Sequence, residues 1–261
     1  MKNTILFILA VLLFSSCQKV IPIDLNSAAP KYVIEGDINN GSDPCRIKIT
    51  KTRNFSDDNY FEGIEKAVVT ISDNAGTEVT VPYTKDGVYE TTAITGIPGR
   101  TYNLTVKIGN ETFSSSSLMP YPVNMDTLYS YDFIGFGDTI KMANVEYQDP
   151  VGIKIYYRFV LTLNHEVKES IYISDDQFND GKIGTQYINY FSDDDKTIEL
   201  NDSVDIEMQC IDASVYNFFF TLAQTISQSA AAPTNPISNI SGGALGYFSA
   251  HTVQRRKIQI Q

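Results

Sequence analysis

Tryptophan is absent from this chain of 261 residues, histidine occurs twice and cysteine three times. Each scarcity closes off some chemistry. His165 and His251 are too few for a histidine-rich metal centre, and His165-Glu166-Val-Lys-Glu169 lacks the second histidine of an HExxH zinc helix. Apart from Cys17, only Cys45 and Cys210 remain, far apart and with no CxxC spacing, which excludes zinc ribbons and thioredoxin-like exchange. They either pair in an oxidising envelope or sit buried as small apolar side chains. No GxSxG nucleophile turn occurs. Gly242-Gly-Ala-Leu-Gly246 leads into a strand pattern where a phosphate-binding loop needs a helix. Basic residues are also short: 20 Lys+Arg against 31 Asp+Glu give a net charge of −11. Phosphate repels such a chain, so nucleic acid is not expected as a partner. The missing tryptophan weakens a sugar-stacking platform. After residue 17 no apolar run approaches the ~18 residues that a membrane-spanning helix requires.

What is present begins with MKNTILFILAVLLFSSC. Lys2 supplies a positive start, Ile5 to Phe14 an apolar stretch of signal-peptide length, and Ser15-Ser16 small side chains before Cys17. This resembles the bacterial lipobox, with Phe14 where Leu is usual. The expectation is a signal peptide over 1–16, lipidation of Cys17 by palmitate-type acyl chains, and a tether over 17–30. Gln18-Lys19 resembles the start of an export tag for surface lipoproteins, but Val20 and Ile21 replace its acidic residues. Either face of the outer membrane is therefore open, with the cell surface preferred.

From Lys31, period-2 alternation is punctuated by Gly, Asn, Asp and Pro. The runs are 31–38, 45–53, 67–72, 77–83, 88–92, 101–109 and 112–119. Seven half-buried strands in about 90 residues are the count and spacing of an immunoglobulin-like sandwich. Asp86-Gly-Val-Tyr89 and Pro98-Gly-Arg-Thr-Tyr102 also resemble transthyretin-like sandwiches. The expected domains are a β-sandwich over 31–118, a stiff linker over 119–125 around Met119-Pro120-Tyr121-Pro122, and a β-rich domain over 126–261.

The second range opens with strands at 126–133, 139–147 and 152–163. The last is apolar on both phases, as for a strand buried on two faces. Strands at 186–191 and 197–211 follow. One helix is expected over 214–228, because Val215, Phe218, Phe219, Leu222 and Ile226 fall on one face. Asp212 or Ser214 caps its start, and the alanine run ending at Pro233 stops it. Without Lys or Arg it suits a sheet better than a membrane surface. The final strand, from Gly246, changes phase around Arg255–Lys257, which predicts a bulge. The fold class is therefore mainly β with one packed helix.

Candidate sites are few. Tyr187, Tyr190 and Phe191 beside an acidic loop offer either a ligand-stacking surface or strand packing. Asp57-Asp58, Asp175-Asp176 with Asp180, and Asp193-Asp194-Asp195 supply the hard oxygen ligands of a calcium loop, against the simpler role of solvated turns. Phe178 stands where a calcium ligand belongs, and no glutamate closes the loop. Asp-Thr-Leu at 126, Asp-Thr-Ile at 138 and Asp-Ser-Val at 202 resemble an O-glycosylation sequon, with Thr127, Thr139 and Ser203 as acceptors. No catalytic constellation is assembled. A deep pocket lined by Asp or Glu together with His165 or His251 would instead point to an enzyme.

Several segments together resemble a lipoprotein family of Bacteroidota known as domain of unknown function 4249. They are Pro30-Lys-Tyr-Val-Ile-Glu-Gly36, Pro98-Gly-Arg-Thr-Tyr102, Asp149-Pro-Val-Gly, Tyr156-Tyr157-Arg158, Pro233-Thr-Asn-Pro236, Ser238-Asn-Ile240, Gly242-Gly243 and Gly246-Tyr-Phe248. The resemblance spans nearly the whole chain after residue 17. It implies an outer-membrane lipoprotein linked with TonB-dependent receptors, without an assigned cofactor or catalytic residue. The resulting expectation is a non-catalytic accessory or binding component in nutrient uptake. A structural or adhesive envelope protein is the alternative, and an uncharacterised hydrolase the remaining one.

Overall fold

A computed structural model describes residues 29–53, 61–135, 138–191, 197–227 and 234–261. The signal-peptide region, Cys17 and nearly all of the tether lie outside that range, as do Asp57, Asp58 and Asp193 to Asp195.

The chain is mainly β, as its alternation predicts. The first half supplies β1 (Tyr32–Asn39), β2 (Cys45–Lys51), β3 (Ala67–Asp73), β4 (Glu78–Val81), β5 (Tyr83–Lys85), β6 (Val88–Thr91), β7 (Thr101–Ile108) and β8 (Glu111–Leu118). The run expected at 77–83 breaks into two, because Pro82 has no N–H for the ladder. The second half supplies β9 (Met125–Gly135), β10 (Asp138–Gln148), β11 (Tyr156–Leu163), β12 (Glu166–Val167), β13 (Tyr172–Asp175), β14 (Ile183–Ile188) and β15 (Ser203–Ile211). Helix α1 (Ala213–Ile226) and β16 (Leu245–Gln259) complete it. The strand expected from residue 152 starts at Tyr156, since Gly152 turns with φ +69°. It is fully buried on one face only, through Tyr157, Phe159, Leu161 and Leu163.

Three sheets result. One runs β12-β11-β15-β16-β1-β2-β6-β5, with β13 also on β11; the others are β4-β3-β7-β8 and β14-β10-β9. The long sheet belongs to both halves. Its β16-β1-β2-β6-β5 part faces β4-β3-β7-β8 over a core that includes Ile34, Ile47, Ile49, Ile71, Leu104 and Phe248. Its β11-β15 part faces β14-β10-β9 over Val145, Tyr147, Phe159, Leu161, Ile206 and Met208. Each such side chain contributes ~1.5–3 kcal/mol on burial.

Strand β16 joins the two cores. Val33–Asn39 of β1 pairs in parallel with Leu245–His251, and β15 pairs antiparallel with Thr252–Gln259. Where the ladder changes sides, side chains take up the freed backbone groups. Asn239 accepts from Phe248 N at 2.9 Å and donates to its carbonyl at 2.8 Å, Ser117 Oγ accepts from Ala250 N, and Asn40 Oδ1 from Val253 N. The expected bulge at 255–257 is not there. The register to β15 is unbroken, and Phe248, Ala250, Ile258 and Ile260 keep one parity. The apparent phase change is Arg256, an exposed residue at an inward-parity position. Cys45 lies in the first core and Cys210 in the second, both free and buried.

Helix α1 packs on the outer face of the long sheet, through Val215, Phe218 and Phe219 against Tyr156 and Tyr247. The bend at Gly242–Gly246 is expected to carry both Tyr247 and Phe248 into the core; Phe248 does enter the first core, but Tyr247, its neighbour on the strand, points to the opposite face and the helix, as strand alternation requires. Asp212 is the N-cap, accepting from Ser214 N at 2.8 Å and Val215 N at 3.0 Å. Its second oxygen accepts from the Ser117 hydroxyl and from Leu118 N at 3.2 Å, so the same carboxylate ties the helix to β8.

Candidate functional site

Beside α1, on the same outer face, the long sheet carries a recess of about 550 Å³. Strand alternation sends every second side chain of β1, β2, β11, β15 and β16 to this face. In a core sandwich such positions are polar because water meets them. Here the loop after β1, with Asp43 and Pro44, and Val167 of β12 rise around them and make a partly enclosed polar cavity.

The charges fall into two groups. Arg255 lies between Glu207 and Asp43, with Nη2 at 2.5 Å from an oxygen of each. Arg46 meets its cross-strand neighbour Glu90 at 3.5 Å. Both of these arginines are thus matched by carboxylates, three in all. Arg158 is held differently: its guanidinium stacks 4.1 Å over the Phe219 ring and donates to Gln209 Oε1 at 3.0 Å. No carboxylate among the described residues is in ion-pair range of it. Asp37 stands opposite Ser249 on one side and Arg46 on the other in the strand register. Its carboxyl has no hydrogen bond or ion pair among the described residues.

Burial governs the protonation states. It pushes the Asp37 carboxyl up to about 7, with Glu207 adding to the rise and Arg158 and Arg46 opposing it. It holds His251, 4% exposed, down at about 4, so the imidazole is neutral at pH 7. Its Nδ1 lies 3.0 Å from Ser249 Oγ. Tyr247, in the wall beneath α1, is pushed up to about 12 and stays a hydroxyl. Besides the ion-paired Arg46 and Arg255, the recess therefore presents one arginine without a carboxylate partner among the described residues, one acid poised near neutrality and several neutral hydrogen-bonding groups.

The residues singled out from sequence lie elsewhere. Tyr187 sits on the outer face of β14, opposite Asn144, whose other cross-strand neighbour is Tyr129. Tyr190 packs against the second core with Lys168 Nζ 5.3 Å from its ring, and Phe191 is exposed. Thr127 donates to Glu146 at 3.1 Å on β9, Thr139 is exposed on β10, and Ser203 opens β15. Asp175 accepts from Gln177 N within its own turn, and Asp180 accepts from Gly152 N of the connection between β10 and β11. Among the described residues no three His, Cys, Asp or Glu are placed to hold a metal ion. His165 is at the β11–β12 hairpin tip, with φ +70°. A second, apolar groove of about 810 Å³ lies along the linker, where Tyr121 and Ile153 are exposed.

Sequence reasoning missed Asp37, Arg158 and Glu207 as a site. The one available signal was a charged side chain recurring within strands otherwise rich in Ile, Tyr and Val.

The family model described as Domain of unknown function (DUF4249) matches residues 18–257, nearly the whole chain, and the chain belongs to that family. No curated protein matches it.

Proposed function

We propose that this member of the DUF4249 family is a non-catalytic lipoprotein of the outer membrane, anchored through Cys17, that serves a TonB-dependent receptor as an accessory or ligand-binding component in nutrient uptake. The recess carries the reading. It is a preformed polar cavity of about 550 Å³, within the usual range of small-molecule sites, and it gathers side chains from strands of both halves of the chain. The lipobox-like sequence before Cys17 supports the anchor, and the exposed apolar residues along the linker groove support a protein partner. Extraction in mild detergent should bring down a large β-barrel with the tagged protein, and Cys17→Ser should release the chain from the membrane fraction. Recovery as a free monomer in every detergent would contradict the partnership, and an unacylated wild-type N-terminus would contradict the anchor.

One observation favours a second reading. Asp37, raised to about 7, shares the recess with Glu207 and with the Ser249–His251 pair, which is the composition of a hydrolytic site. Against it, Ser249 and His251 are 3% and 4% exposed, so a substrate bond does not reach the hydroxyl without local opening. Turnover of ester or peptide substrates that Asp37→Asn abolishes would establish this reading over the first.

A further inference from the structure

We infer that the recess takes a small zwitterion, a free amino acid or short peptide, whose carboxylate meets Arg158 and whose ammonium meets Asp37. The inference rests on the binding-component reading and names the cargo of that same cavity.

Arg255 is already satisfied by Asp43 and Glu207, and Arg46 by Glu90. Subtracting those pairs leaves Arg158 and Asp37 as the charged groups with capacity to spare. A guanidinium carries five N–H donors in a fork suited to a carboxylate, and Arg158 commits one of them to Gln209. Its stacking on Phe219 fixes the plane of that fork. Asp37 commits neither oxygen, and half-burying an unpaired carboxylate is costly. Its rise to about 7 is the response expected of a carboxyl that lacks its counter-ion.

Other ligand classes fit less well. A phosphate dianion would meet Glu90, Glu207 and Asp43, with two of the three arginines already neutralised. A cation alone would leave Arg158 facing it. A neutral sugar would leave both charges without a partner. One carboxylate and one ammonium complete the set, and the cavity has room for more than one residue, so short peptides belong in the test with free amino acids.

The full-length protein in detergent would be titrated calorimetrically with the standard amino acids, Ala-Ala and Ala-Ala-Ala, and with their N-acetylated and C-amidated forms. At least one zwitterion should bind and be recovered intact, and each cap should weaken it tenfold or more. Asp37→Asn, which keeps the side chain's shape, should weaken binding at least tenfold, and Arg158→Gln likewise. Since a carboxyl at about 7 is about half protonated at pH 7, binding should release up to about half a proton, read from titrations in two buffers of different ionisation heat. Circular dichroism of each variant would show that the fold persists. No binding across the panel, or equal binding of capped and uncapped forms, would overturn the inference. No barrel is needed for this titration. A null result beside successful barrel co-purification would end the zwitterion assignment alone, and the converse would end the partnership alone.

Discussion

Asp37 and His251 face one cavity and hold opposite ends of a proton balance. On unfolding, His251 returns from about 4 to its ordinary 6.5, and Asp37 from about 7 to its ordinary 3.8. Stability due to neutral His251 is full above pH 6.5 and is lost as pH falls toward 4. Stability due to protonated Asp37 is full below pH 3.8 and is lost as pH rises through 7. Between about pH 4 and 6.5 the two slopes oppose each other, so the wild type should rise with pH more gently there than the histidine alone would make it. Asp37→Asn should unmask the histidine, so that stability rises with pH across that window by up to ~1.4 kcal/mol per pH unit. His251→Gln should unmask a fall with rising pH, shallower because Asp37 is only half-buried and water screens it. Urea midpoints at several pH values would decide this, and parallel pH profiles for all three proteins would contradict it. At this scale the sequence was least informative. Asp37 and Arg158 look like ordinary outward residues of alternating strands, and nothing local marks the loop and hairpin that close over them.

Among the elements, α1 was the most legible, because its 3.6-residue periodicity and its Asp212 cap are both local signals. The expected 214–228 and the observed Ala213–Ile226 differ by the reach of an end turn. What the sequence hid is the second duty of Asp212, on Ser117 and Leu118 of β8. An ordinary cap is worth ~1 kcal/mol, so Asp212→Ala should cost more, about 2–3 kcal/mol in denaturant unfolding. A loss of a few tenths would show that the β8 contacts carry nothing. The alternation from Gly246 marks β16 as a strand but not as one that two cores share. Gly246 has φ +101°, and a Cβ there would stand 2.0 Å from the Ile34 carbonyl oxygen. The parallel β1–β16 ladder requires that approach. Gly246→Ala should therefore cost about 2–4 kcal/mol, whereas Gly76→Ala, with open space around it, should cost less.

For the molecule as a whole, the mainly β class was legible because alternation is a local property of strands. The sharing of one sheet by two cores was not, because β1 and β16 are separated by most of the chain and parallel pairing leaves no turn signature. The division expected at 119–125 follows composition, yet Ile240, Ala244, Phe248 and Ala250 lie in the first core. A fragment ending at residue 125 would lack them and the β1 partner strand, and should show no cooperative unfolding. The recess draws Asp37 from one side of that division and Arg158 from the other, so binding and fold share one continuous sheet. Scanning calorimetry of the full chain, with and without the tightest zwitterion of the panel, tests this most directly. A single transition should appear and move upward as one when the ligand is present. Two transitions of which only one moves, or a single transition that no zwitterion moves, would contradict it.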